Sequence, residues 1–282
     1  MANDTANEVL AAWEISAQYW NKHQALIEKM YVALSSALVE DAHIGSGQSV
    51  LDVGGGSGEP SLTIAAVVGE SGSVTYTDPA AGMVKAARAE AERRGLTNIQ
   101  FHQCPAERLP FSHNSFDAAV SRLSVMFFPE VLLGHREMLR VVKPGSYVSF
   151  VVWAPREVNP FFSAVTEVLD RFVPADVEDE DALAAFRFAA PEKLAKALRK
   201  AGAVEVTERE LDFMIEAPIS VERFWELRTE MSDTFRKKLG RLVPDQVAAI
   251  RYTVQKAVAG YFKTGGMSFP AKALVVTGRK PT

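Results

Sequence analysis

Apolar positions in this chain alternate between two patterns. Short continuous runs bounded by glycine, proline or polar clusters read as buried strands, near 49–53, 73–78, 98–103, 115–121 and 145–153. Between them, apolar residues at helical spacing predict helices near 60–69, 80–94, 130–142 and 191–201, the last stopped by Gly202. Residues 9–40 read as two further helices. Trp13, Tyr19 and Trp20 lie on the first, and a stripe of Leu26, Met30, Leu34 and Leu38 on the second suits packing on a sheet. Strands alternating with helices call for a parallel sheet covered on both faces.

Two stretches interrupt the alternation. Residues 154–190 begin with prolines and run through aromatics into an acidic block, 178–181, which reads as a solvated loop rather than a metal site. Residues 218–266 read as mostly helical between two strand-like runs, 203–213 and 269–279.

The chemistry concentrates after the first strand, in Asp52-x-Gly54-x-Gly56-x-Gly58-Glu59-Pro60. A strand, a glycine-rich turn and a helix start with proline near N1 make a nucleotide-sized site. A dinucleotide fingerprint needs a third glycine where Glu59 stands, and a carboxylate there repels a pyrophosphate. No Gly-Lys-Ser/Thr follows, so the phosphate-loop pattern fails too. A second acid, Asp78, ends the next strand.

This loop resembles that of the class I S-adenosylmethionine-dependent methyltransferases, and two later segments strengthen the likeness. Leu109-Pro110-Phe111 with Ser115-Phe116-Asp117 and Val120-Ser121 is similar to that superfamily's LPF…SFD…VS segment. Glu137-Met138-Leu139-Arg140-Val141-Val142-Lys143-Pro144-Gly145 is similar to its REMxRVLKPGG segment. Over residues 45–153 the chain is similar to the broad group containing the ubiquinone/menaquinone C-methyltransferases (methyltransferase type 11). The resemblance implies an α/β, doubly wound, seven-stranded and mostly parallel sheet, a Rossmann-like methyltransferase fold with helical lid insertions. Its last two strands would form an antiparallel edge hairpin. It also implies an N-terminal helical lid at 1–44, a cofactor-binding core at 45–153, a lid insertion at 154–190, and completion of the core at 191–282 with a helical insertion at 218–266.

The cofactor implied is S-adenosyl-L-methionine. By the same resemblance, Asp52 lies near its ammonium, and Gly54, Gly56 and Gly58 let the backbone approach the methionyl and ribose parts. Asp78 accepts hydrogen bonds from the ribose hydroxyls, with Pro79 and Met83 against the adenine. The family often carries an aspartate before Ala106, where this chain has Pro105. That leaves the Ala106 N–H and Glu107 for the adenine edge. Ser121 and Arg122 end the fourth strand, which faces the sulfonium and the acceptor. Arg122 could orient an acidic or phenolate acceptor, or make a structural salt bridge. Tyr19 could touch the methionine end.

Methyl transfer from a sulfonium needs placement above all, and a base only when the acceptor must lose a proton. Of the five histidines, His23 is the least implausible base. Aromatics in the lid segments and at strand ends suit an apolar or aromatic acceptor. The alternatives are a nicotinamide-dependent oxidoreductase, disfavoured by Glu59, and a non-catalytic protein that binds the cofactor.

Composition narrows the partners. In 282 residues with a net charge of −4 there is no sustained basic block, against an extended nucleic-acid footprint. Cys104 is the only cysteine, which excludes an intrachain disulfide. There is neither a signal-like start nor a twenty-residue apolar span. The expectation is a cytoplasmic enzyme acting on a small molecule, without metal.

Overall fold

The computed structural model describes residues 2–173 and 182–282. The acidic block at 178–181 lies outside the described residues. Three helices open the chain, α1 (Ala2–Lys22), α2 (Gln24–Met30) and α3 (Val32–Asp41). The alternation follows: β1 (Ser49–Val53), α4 (Ser61–Val68), β2 (Ser73–Asp78), α5 (Ala81–Arg93), β3 (Ile99–Gln103), β4 (Phe116–Arg122), α6 (Val131–Val141) and β5 (Val142–Trp153). Next come α7 (Pro160–Leu169), α8 (Lys193–Ala201), β6 (Val204–Ala217), α9 (Val221–Met231), α10 (Asp233–Leu239), α11 (Pro244–Val258), β7 (Phe262–Lys263) and β8 (Gly266–Arg279).

The sheet runs β3-β2-β1-β4-β5-β8-β6, with the two-residue β7 paired to the start of β8. β1 to β5 are parallel, while β8 is antiparallel to both β5 and β6. Crossovers from β1 to β2 to β3 move one way across the sheet, and that from β4 to β5 moves the other. Right-handed connections therefore put α4 and α5 on one face and α6 on the opposite one. The reversal leaves a switch point between β1 and β4, where open α/β sheets bind ligands beyond the carboxyl ends of their strands.

Four differences from the sequence expectations have local causes. The N-terminal segment forms three helices rather than two: the break at His23 separates the two expected helices, and a further break at the buried Tyr31 divides the second. β6 and β8 are each longer than expected and paired over twelve residue positions. β6 shows a mostly exposed face, so its ends carry little apolar signal. β5 begins directly after α6, taking in Lys143-Pro144-Gly145 across an irregular register between Phe116 and Ala118. With β7 the sheet counts eight strands rather than seven.

The core is the sheet itself. Val50, Leu51, Ala118, Ala119, Val120 and Phe150 have no exposed surface. The stripe of Met30, Leu34 and Leu38 is buried, with α3 packed against β4, β5 and β8.

Candidate functional site

The turn after β1 is tied to β2 through its backbone. Gly54 and Gly55 both donate N–H hydrogen bonds to the Thr77 carbonyl, at 2.8 and 3.0 Å. The Tyr76 hydroxyl donates to the Gly56 carbonyl at 2.5 Å. Two glycines are demanded by these neighbours. A Cβ on Gly54 (φ +73°) would stand 1.9 Å from Ser124 Oγ, and one on Gly55 2.5 Å from the Tyr76 ring. Gly56 differs: its φ is +55°, and an added Cβ meets nothing within 4 Å. The backbone there faces open space.

That space is a cavity of about 240 Å³ over the ends of β2, β1 and β4. Its floor is Gly54, Gly55 and Gly56 with Glu59, and Asp78 stands on one side. Asp78 accepts from the N–H of Gly56 (3.0 Å) and of Ala80 (2.9 Å). Burial pushes its carboxyl up to about 6 against those two bonds. Pro79, Met83, Ala106 and Glu107 continue the same wall. On the β4 side lie Arg122, Leu123 and Ser124, with Phe127 and Phe128 beyond. α1 covers the cavity with Ala6, Asn7, Val9, Leu10, Trp13 and Trp20. Trp13 meets Trp20 and Phe127 edge-on, at 5.7 and 5.0 Å between ring centroids.

Two buried acids belong to the floor, Glu59 in it and Asp52 beneath it. Asp52 is fully buried and accepts from the Ser61 hydroxyl (2.7 Å) and N–H (3.1 Å), while its Oδ1 has no hydrogen-bond partner. Burial raises it to about 7, opposed by Ser61 and by the positive Arg122. Glu59 is also raised by burial; Arg122 and the Thr63 hydroxyl, which donates at 2.7 Å, hold it down. Its Oε1 likewise lacks a hydrogen bond. That oxygen is ion-paired with Arg94 at 4.0 Å, so the unpartnered Oδ1 of Asp52 is the one that marks a place suited to a positive ligand.

Not every candidate reaches the cavity. Gly54, Gly56, Asp78, Pro79, Met83, Ala106, Glu107 and Arg122 line it. Asp52 sits one layer below. Gly58 packs on Leu62, and Ser121 is buried with its hydroxyl unpartnered. Tyr19 lies away from the lining, beneath the Arg236 guanidinium at 4.7 Å. His23 is turned to Glu230, 2.5 Å from its carboxylate, rather than toward the cavity. Tyr31 and Ser124 line it without having been singled out. Tyr31 was hidden in an apolar helix stripe, and Ser124 carries no sequence signal. The lining takes nothing from 154–173 or 182–282. Instead, α9 and α10 grip α1 and its end: Lys22 bridges Glu226 and Glu230, and Arg236 donates to Ser16.

Among the described residues, no group of three or more His, Cys, Asp or Glu could hold a metal ion, and no helix is long and apolar enough to cross a membrane. Comparison with known proteins bears on the same region. The family model that describes a methyltransferase domain (Methyltransf_11) matches residues 51–150, from β1 to within β5. Residues 51–150 are a methyltransferase domain. The ubiquinone/menaquinone biosynthesis C-methyltransferase UbiE of Coxiella burnetii is 32% identical over 123 residues, 43% of this chain and 49% of that protein. The chain spans about half the length of the curated relatives it matches. Two solved structures share the fold over most of the chain. The YcgJ protein of Bacillus subtilis superposes with a TM-score of 0.57 at 19% identity, covering 88% of this chain and 98% of that one. The [4+2]-cyclase SpnF superposes with a TM-score of 0.56 at 21% identity, covering 95% and 96%. The matched residues supply the floor and the strand-end sides of the switch-point cavity, while α1 and Tyr31 lie outside the match.

Proposed function

We propose that this chain is an S-adenosylmethionine-dependent methyltransferase that uses the cavity to methylate a small, apolar or aromatic acceptor. The observation that carries the reading is the open space at Gly56, flanked by carboxyls at the ends of adjacent strands inside a methyltransferase domain. When bound, the cofactor supplies a methyl group on a positively charged sulfur, a good leaving centre. Asp78 offers a carboxylate to a vicinal diol, and its bonds to Gly56 and Ala80 fix its rotamer beforehand. Asp52 and Glu59 bias the floor toward a cation. Met83, Pro79 and the Ala106 N–H suit the flat base. The aromatic and apolar side chains of α1, with Phe127 and Phe128, exclude water and hold an apolar acceptor in line. In this reading α1 is the lid, and the helices of 218–266 brace it from behind.

Titration calorimetry with S-adenosylmethionine and S-adenosylhomocysteine tests this. Both should bind, and Asp78→Asn should weaken them at least about tenfold. Gly56→Asn should do the same with the fold kept, since asparagine tolerates positive φ while filling the open space. Unchanged affinity in both variants would refute the site. Binding of a nicotinamide cofactor instead would point to the oxidoreductase, and binding without turnover of any acceptor to a non-catalytic protein.

A further inference from the structure

Arg122 and Arg228 are two guanidiniums with few partners, held on different elements. Arg122 ends β4 and lines the cavity. Its single hydrogen bond to the described residues is donated by Nη1 to Ser35 Oγ at 3.0 Å, and it forms no ion pair with them. The nearby acids Asp52 and Glu59 act on it only through space. Arg228 of α9 is 8% exposed, and its side chain forms neither hydrogen bond nor ion pair with any described residue, its Nε being buried without a partner. Its guanidinium lies over the rings of Phe161 and Phe162, at 4.6 and 4.8 Å. Both positive charges act on the Tyr31 hydroxyl. Tyr31 itself lines the cavity and packs edge-on against Trp153.

A buried guanidinium is costly unless its donors meet an acceptor, and arginine escapes that cost poorly by losing its proton. Cation–π contact compensates Arg228 in part but satisfies none of its N–H groups. In the sheet order, β1 alone separates β4 from β2, so Arg122 stands roughly 10 Å from the Asp78 side. The cavity therefore has an acidic floor and side and a basic β4 end. We propose that the acceptor carries an anionic oxygen, carboxylate or phenolate, on an apolar ring, and that Arg122 at the β4 end selects it. Arg122 would anchor that oxygen, with the Tyr31 hydroxyl beside it and Arg228 reinforcing the field. This rests on the methyl-transfer reading of the cavity and adds to it the charge of the acceptor.

The test is calorimetry on the full chain saturated with S-adenosylhomocysteine, so that the cofactor's own carboxylate is already in place. The probes are benzoate, 4-nitrophenolate and the neutral benzamide. At least one anion should bind about tenfold or more tighter than benzamide. That preference should collapse in Arg122→Gln, return in part in Arg122→Lys, and shrink in Arg228→Met. The preferred anion tells carboxylate from phenolate. Equal affinity of all three probes in the unmutated protein would overturn the proposal. So would an Arg122→Gln variant that loses S-adenosylhomocysteine affinity while keeping the anion preference, because the guanidinium would then serve the cofactor. Failure of S-adenosylhomocysteine to bind the unmutated protein would remove the methyl-transfer reading itself, and this one with it.

Discussion

At the residue scale, Asp52 couples the site to stability. Its carboxyl is raised from 3.8 to about 7 by burial, so between those values the folded chain holds a proton that the unfolded chain has released. Stability from this group is therefore present below the unfolded value and is lost as pH rises toward 7. Melting temperatures of the ligand-free protein measured from about pH 4 to 8 should fall less steeply in Asp52→Asn than in the unmutated protein. Asparagine keeps an oxygen for Ser61 but has no proton to lose. Parallel curves for the two proteins would contradict the assignment. Residues that act through the chain's own local geometry were legible from sequence: glycines in a turn and acids at strand ends. Tyr31 and Arg228 were not, because their surroundings are built from elements far apart in sequence: Tyr31 packs on Trp153, and Arg228 on Phe161 and Phe162. His23 shows the converse, a titratable side chain in a promising segment whose partner, Glu230, lies 207 residues away.

At the scale of elements, α1 is held over the cavity by α5. Glu14 accepts the N–H groups of Ala81 and Gly82, at 2.6 and 2.9 Å, and so caps the start of α5 from another helix. Gly82 permits the close approach, since a Cβ there would stand 2.8 Å from that of Ala17. Glu14→Ala should cost about 1 kcal/mol of stability in urea unfolding and weaken S-adenosylhomocysteine. Loss of stability with unchanged affinity would mean that α1 is structural and not a cover. The strands and helices from 49 to 153 were readable because each carries its own apolar pattern and punctuation. The N-terminal break at Tyr31 was not, because the apolar stripe from Leu26 to Leu38 runs through it without interruption. The two-residue β7 has too few positions to carry a pattern at all.

At the scale of the whole molecule, the parts divide into a sheet that presents the cavity and a helical layer that covers and braces it. The doubly wound fold followed from alternation, but the bracing of α1 by α9 and α10 had no sequence signal, since ion pairs such as Lys22–Glu230 join distant segments. If α1 closes on the cofactor, amide hydrogen exchange in residues 6–20 should slow when S-adenosylhomocysteine is added. Exchange unchanged there but slowed in 54–58 would leave the cavity a binding site without a closing lid. The position of β8 between β5 and β6 has a further consequence, for biosynthesis. β6 leaves the ribosome three helices before the strand that joins it to the sheet, and β5 earlier still. Until β8 emerges, β5 presents an unpaired edge and β6 has no neighbour, so the growing chain carries two exposed templates for aggregation. The sheet cannot close until β8 (Gly266–Arg279) has been made, and a nascent chain halted before Gly266 is expected to need a chaperone where one that includes β8 does not.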